Sequence, residues 1–196
     1  MANAARRVGA ESSATRALIV EAAEQVMLEE GYAAASTRRV AARAGLKPSL
    51  VHYYFPATED LLLAVNHKGA AEGDRRLEEA LASPDPLRAL WKTMTDTSQT
   101  ALALETMALA NHRKAIRTEI ARHVEEVRAR QVAAFERLLG ERMTRFAGPP
   151  EALALVLTGI GRALIMEGAL GVSAGHAEAA KWVEGLLDAL MPAGEG

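Results

Sequence analysis

The chain has 196 residues, a formal net charge of -2, 49% hydrophobic and 24% charged residues, and no cysteine. That length suits one ordinary domain or two small ones, and the missing cysteine excludes disulfide scaffolds, Cys-ligated zinc, iron–sulfur clusters and thiol catalysis. The N-terminus lacks a secretory apolar core, and the longest apolar run, Ala152–Gly168, is interrupted by Arg162 and Glu167, so neither a signal peptide nor a membrane span is expected.

Aromatics are only 4%, while Ala, Leu, Glu and Arg dominate, which favours helix over sheet. Met1–Ser13 is polar and Ala-rich and reads as a frayed end. A first helix is expected over Thr15–Glu30, where Leu18, Ala22 and Val26 with Ile19, Ala23 and Met27 form an apolar stripe; Gly31 stops it. Ser36 caps a short second helix, Thr37–Ala44, ended by Gly45, with Val40, Ala41 and Ala44 turned to the core. Pro48 opens a third helix to Tyr54, closed by Phe55-Pro56. Thr58 is expected to cap a fourth helix reaching Ala82, with Glu59 and Asp60 at its positive end, and Ser83-Pro84-Asp85-Pro86 stops it.

A fifth helix starts near Pro86 with Leu87, Leu90, Trp91 and Met94, and Thr95–Asn111 holds one more. The longest helix is expected over Arg113–Phe146, burying Ile116, Ile120, Val124, Val127, Phe135, Leu138 and Leu139, with Glu119/Arg122 and Glu126/Arg130 spaced to pair on its outer side. After Gly148-Pro149-Pro150, a helix over Pro150–Gly168 is apolar almost all round, and Ala174–Leu190 completes the chain. No strand pattern or repeat appears, so the fold class is all-α.

The charge is uneven. Met1–Pro56 holds seven basic and five acidic residues, a net +2, leaving −4 for the rest. Its acids end at Glu30, and from there to Pro56 every formal charge is positive: Arg38, Arg39, Arg43 and Lys47. A local cationic segment suffices for phosphate contact, because charge acts over about a Debye length of ~8–10 Å. Two short helices joined by Gly45-Leu46-Lys47 form a helix–turn–helix candidate, in which Leu46 plugs the interhelical angle and Val51 anchors the second helix. The exposed side of that helix then offers Lys47, Ser49, Leu50, His52 and Tyr53 to phosphates or base edges. Arg39 and Arg43 read as solvating the second helix, Tyr54 and Phe55 as closing the small core, and Arg6 and Arg7 as a disordered tail rather than a minor-groove arm.

Gly31-Tyr32, the run Ser36-Thr37-Arg38-Arg39-Val40-Ala41-Ala42-Arg43-Ala44-Gly45-Leu46, then Val51-His52-Tyr53-Tyr54-Phe55 and Asp60-Leu61 closely resemble the DNA-binding segment of TetR-type transcriptional regulators. The resemblance covers roughly residues 15–63; beyond it only length and helical character agree. It implies that Arg38 reaches a base or phosphate and that Thr37 offers phosphate a hydroxyl and an amide. It further implies that Lys47, Pro48, Ser49 and Leu50 read the major groove. His52 and Tyr53 fall at an aromatic pair that touches the DNA backbone, the His being a departure from the more usual Tyr. Thr58 stands where many members carry a phosphate-binding Lys, which leaves only its hydroxyl and the helix-end amides for that contact. The implied layout is an arm over 1–14, a helix–turn–helix domain over 15–57 and a ligand-binding and dimerisation domain over 58–196.

One helix–turn–helix makes few contacts, so a homodimer reading two half-sites ~34–36 Å apart on a palindromic operator is expected. The last two helices are the expected interface, through Leu157, Ile160, Gly161, Leu164, Trp182, Val183, Leu186 and Leu190, with Gly159, Gly161 and Ala163 permitting close approach. Trp91, Met94, Met107, His112, Ile116, Ile120, His123, Phe135 and Met166 are the candidate lining of a cavity for an apolar or amphipathic effector, with Arg162 and Glu167 either orienting it or pairing with each other. Glu119 and His123 sit at i, i+4, but two ligands are not a metal site, and neither a Gly-rich phosphate loop nor a nucleophile elbow occurs. The expectation is a cytoplasmic, ligand-responsive DNA-binding repressor without cofactor or enzymatic activity. The alternatives are a helix–turn–helix regulator without an effector and an all-helical metal or cofactor enzyme.

Overall fold

Capping chemistry sets the first helix boundaries. In the computed structural model, which describes residues 13–97, 100–143 and 148–191, Ser13 Oγ accepts the Arg16 N–H at 3.1 Å and opens α1 (Ala14–Glu30). A single 3-10 turn (Tyr32–Ala34) leads to Ser36, whose hydroxyl accepts the Arg39 N–H at 3.3 Å and opens α2 (Thr37–Ala44). Gly45 takes the left-handed conformation at φ 67°, and Leu46 N–H returns to the Ala41 carbonyl at 2.9 Å, a Schellman-type stop that a side chain at position 45 would strain. Proline at its first position then starts α3 (Pro48–Tyr54).

α4 (Thr58–Leu81) begins differently from expectation. Thr58 is its first helical residue, and the Asp60 carboxylate takes the capping role by accepting the Ala57 N–H at 3.1 Å. α5 (Pro86–Met94), capped by Asp85, and α6 (Thr100–His112) follow. α7 (Lys114–Leu139) is shorter than its apolar pattern suggests, because Gly140 (φ 49°) turns the chain out of the helix. α8 (Pro150–Ala169) and α9 (His176–Leu190) complete an all-α chain. Arg6, Arg7 and Phe146 lie outside the described residues.

The chain forms two compact units: residues 1–71 with 101–120, and residues 72–100 with 121–196. In the first, Ile19, Ala23, Val26 and Met27 of α1 pack with Val40, Ala41, Val51 and Phe55, with Leu61 and Val65 of α4, and with Leu102, Leu109 and Ile116 from α6 and α7. Thus α6 and the start of α7 complete the core under the short helices α2 and α3. In the second, Leu77, Leu87, Leu90 and Trp91 pack with Phe135 and Leu139 of α7, with Leu153 and Leu157 of α8, and with Val183, Leu187 and Leu190 of α9. A Cβ on Gly161 would lie 2.6 Å from the Met94 carbonyl oxygen, so α8 approaches α5 at a distance only glycine permits.

Several expectations change. Val124 is 40% exposed, not buried. Of the two expected pairs on α7, Glu126 meets Arg122 in place of Arg130, which reaches across to Asp74 of α4. Glu167 accepts from His176 at 2.9 Å, so it is not the partner of Arg162. Among the described residues α8 is the one helix long and apolar enough to cross a membrane by length and composition, the two interrupting charges notwithstanding. Its inner face, Leu153, Ala154, Leu157 and Gly161, is buried in the second unit's core.

Candidate DNA-binding interface

The physics of α3 follows from its shortness. Seven residues allow two turns, and at 100° per residue Val51 and Tyr54 turn inward while Pro48, Ser49, His52 and Tyr53 share an arc of about 140° on the other side. Val51 is fully buried and Leu46 packs against the same core, so the helix is held from beneath as its spacing predicts. Pro48, Ser49 and His52 are exposed, Tyr53 is 49% exposed, and Leu50 lies half-buried at the edge of the arc. Tyr53 and Tyr54 meet edge to face with centroids 5.3 Å apart, which fixes the direction of the Tyr53 hydroxyl. Phe55 is buried, and the Arg16 guanidinium sits 4.8 Å over its ring, joining α1 to the end of α3. Neither Tyr54 nor Phe55 is available for stacking on a base.

The four cations divide into two pairs. On α2, Arg39 and Arg43 project toward the end of α1. Arg39 Nε donates to both Glu30 carboxylate oxygens at 2.9 Å, and Arg43 Nη1 donates to Glu29 Oε2 at 2.7 Å. The hydrogen bond from Arg43 holds the Glu29 carboxyl below its ordinary value, and the same contacts raise both guanidinium pKa values. These two arginines clip α2 onto α1, and their charge is matched locally. Arg38 is rotated about 100° around the helix from Arg39; it and Lys47 are exposed, and neither forms an ion pair with a described residue. Thr37 is half-buried at the start of α2, and Thr58 is exposed at the start of α4. Arg38, Lys47, Pro48, Ser49, His52 and Tyr53 therefore form an exposed surface on the two short helices and their turn. The acidic partners were signalled in the sequence by Glu29-Glu30, which immediately precede the all-cationic segment.

The back of the domain is held by a contact that the sequence pattern does not reveal. Tyr32 N–H, in the turn after α1, donates to Glu105 Oε2 of α6 at 2.7 Å, and the Tyr32 ring stacks with His112 at 6.2 Å. No periodicity links residues 73 positions apart.

Residues 19–65 match the family model for bacterial regulatory proteins of the tetR family. The N-terminal domain is that of a TetR-family transcriptional regulator. Solved structures share the whole architecture. A TetR transcription regulator from Haloarcula marismortui ATCC 43049 is 20% identical, with a TM-score of 0.74 over 90% of this chain and 97% of its own. A transcriptional regulator from Saccharomonospora viridis in complex with choline is 17% identical, with a TM-score of 0.73 over 86% and 95%. One from Aquifex aeolicus VF5 is 18% identical, with a TM-score of 0.68 over 88% and 97%. At these identities the likeness is one of fold. No curated protein matches the chain in sequence. The matched residues, 19–65, give the chain a TetR-type DNA-binding domain.

The remaining candidate residues scatter. Ile116 and Ile120 of the expected effector lining pack in the core of the first unit, whereas Trp91 and Phe135 belong to the core of the second, with Met94 packed against it. His112 stacks on Tyr32, Met107 is 48% exposed, His123 is half-buried and Met166 lies on the surface. None of the nine lines the concavity that the second unit does contain, bounded by Arg76, Lys92, Thr93, Thr95, Asp96 and Thr97. The reason is that an apolar residue at helical spacing has the same pattern in a packed core as around a cavity. Glu119 contacts His67 at 3.0 Å, and no three potential metal ligands gather among the described residues.

Of the expected dimer residues, Leu157, Gly161, Val183 and Leu190 are buried within the second unit, and Ile160, Leu164 and Leu186 are half-buried. They serve the unit's own core. The outward faces of α8 and α9 carry instead Leu155 (63% exposed), Val156, Met166 and Trp182 (58% exposed).

Proposed function

We propose that this protein is a homodimeric repressor that leaves a palindromic operator when a small molecule binds its second unit. The observation that carries the DNA reading is the uncompensated surface of Arg38, Lys47, Ser49, His52 and Tyr53, set apart from the two arginines neutralised by α1. In this reading the base-reading helix is α3, with Pro48, Ser49 and Leu50 at its leading end and Lys47, just before it, on a phosphate. Thr37, Arg38, His52, Tyr53 and Thr58 take phosphates on either side. The layout in this reading is that residues 15–57 hold DNA and residues 58–196 receive the effector and the second copy. Location with the DNA of the cell follows.

The homodimer draws support from the outer faces of α8 and α9, where Leu155, Val156 and Trp182 expose apolar surface that a second copy would cover. Ligand response draws support from continuity. α4 runs from the core under α3 into the second unit, so a state of the second unit that repositions α4 changes the presentation of α3. DNA and effector then oppose each other by a coupling that is necessarily reciprocal. A regulator without an effector is the competing reading, favoured by the complete burial of Ile116 and Phe135.

The test is fluorescence anisotropy of labelled duplex from upstream of the protein's own gene, against random duplex of equal length. Tighter binding to the former, weakened in Lys47→Ala and Tyr53→Ala, is the expected result. Equal affinity for both duplexes would remove the reading.

A further inference from the structure

Arg75, Arg76, Arg88, Arg122 and Arg130 of the second unit each meet a carboxylate within it. Arg128 of α7 and Arg162 of α8 do not: neither forms an ion pair with a described residue, and the group between them is neutral. Arg128 Nη1 donates to the Thr158 hydroxyl of α8 at 3.2 Å, so its guanidinium lies against that turn of α8. Arg162 follows Thr158 by four residues, about 6 Å along the same face of the helix. Side chains on a helix lean toward its N-terminus, which carries the Arg162 side chain back over the turn of Thr158.

The pair is electrostatically unfavourable as it stands. Arg128 is half-buried, and burial first, then the positive charge of Arg162, hold its guanidinium below its ordinary value. The Glu125 carboxylate, one turn earlier on α7, acts in the opposite direction but less strongly than Arg162. A cation withdrawn from water is ordinarily paired, because the lost hydration is offset only by opposite charge. Here the stronger neighbouring charge has the same sign. The Thr158 hydroxyl accepts from Arg128, and its own hydrogen is donated to no described residue. Arg162 is exposed, so the pair is open to solutes from its side.

We infer that Arg128, Thr158 and Arg162 form a binding site for a phosphate group, either the free ion or the phosphate of a small organic molecule. Two guanidinium groups match a dianion in charge, their planar forks suit its oxygens, and the Thr158 hydroxyl adds a donor between them. A monocarboxylate compensates only one of the two cations. The site lies wholly within the second unit and does not depend on the DNA reading proposed above.

The experiment uses the full chain at pH 8, where phosphate is a dianion, and at constant ionic strength. Inorganic phosphate, glycerol 3-phosphate and acetate are titrated separately by isothermal calorimetry, and thermal midpoints are measured with and without each. The expected result is saturable binding of a phosphate at about millimolar concentration or below, about tenfold or more tighter than acetate. Tighter binding of glycerol 3-phosphate assigns the site to an organic phosphate, and tighter binding of inorganic phosphate assigns it to the free ion. Arg162→Gln removes the exposed cation, Arg128→Lys keeps the charge but loses the fork, and each should weaken binding by about tenfold or more. Arg162→Gln should also raise the midpoint measured without phosphate, by relieving the repulsion on Arg128, and should abolish the rise that phosphate gives the wild type. Arg137→Gln, an exposed arginine further along α7, should change neither binding nor that rise. Failure of both phosphates to saturate, acetate binding as tightly as phosphate, unaltered affinity in Arg162→Gln, or an equal loss in Arg137→Gln would each overturn the site. A lowered phosphate-free midpoint in Arg162→Gln would overturn the uncompensated pair on which the site rests. An absence of phosphate binding with loss of the dimer in Arg162→Gln would give the pair to a carboxylate of a second copy instead.

Discussion

The division of the four cations makes a quantitative prediction about DNA binding. Each phosphate neutralised by a side-chain cation contributes a slope of about −0.9 to log K against log salt. Arg38 and Lys47 are uncompensated, whereas Arg39 and Arg43 already face Glu30 and Glu29. In the proposed homodimer the two free cations per protomer become four phosphate contacts and a slope of about −3.6, so affinity falls on the order of 10²-fold between 50 and 200 mM salt. If all four cations reached phosphate, the slope would be about −7 and the loss on the order of 10⁴-fold. The measurement is anisotropy across that salt range with the operator duplex, in an Arg6→Ala/Arg7→Ala background so that the N-terminal arginines add nothing. Arg38→Ala and Lys47→Ala should each reduce the slope by about 2 in the dimer, one contact per protomer. Arg39→Ala should lower thermal stability and leave the slope in place. A slope near −7 that falls when Arg39 and Arg43 are removed would refute the view that these residues clip helices together and do not bind DNA.

Three further outcomes test the packing and the interfaces. Gly161→Ala drives a methyl to within 2.6 Å of the Met94 carbonyl, an overpacking that outweighs the helix-propensity gain and costs about 1–3 kcal/mol. Gly73→Ala on α4, with nothing within 4 Å, should stabilise by up to about 1 kcal/mol, and the two thermal unfolding midpoints should move in opposite directions. The Glu29 carboxyl is held down by Arg43, so its contribution is complete above its ordinary value of 4.5 and is lost as pH falls through the lowered folded value. The stability difference between wild type and Glu29→Gln should therefore be present at neutral pH and vanish in acid. Trp182→Glu and Leu155→Glu change exposed positions, so each should spare the fold and halve the mass in sedimentation; a wild-type monomer, or wild-type chain recovered on lipid vesicles instead of as a dimer, would sink the proposed interface.

The N-terminal elements were legible because their signals are local. Ser36, Gly45 and Pro48 act within one turn of the residues they constrain, and α2 and α3 run over the residues that those signals mark. Thr58 misled only in register, since a carboxylate three residues on can cap as well as a hydroxyl at the start. The length of α7 was overestimated because Glu141, Arg142 and Met143 continue a helix-favouring sequence past Leu139, and only the backbone angle of Gly140 ends it. Roles that depend on distant partners were not legible. Whether Arg39 meets a phosphate or Glu30 depends on how α2 lies against α1, which the spacing within α2 does not encode.

The same limit explains why the second unit resisted assignment while its charges did not. Large apolar residues there fill the core, and their periodicity describes burial whether or not a cavity lies beside them; hence the spacing of Trp91, Phe135 and Val183 marks them as buried without deciding between packing, a cavity wall and an interface. Polar groups are more discriminating, because each buried one must find a partner. Applied across the second unit, that requirement passes over every core residue and stops at Arg76, whose Nε alone lacks one among the described residues. In the first unit it stops instead at Tyr32, whose amide is answered from α6 by Glu105.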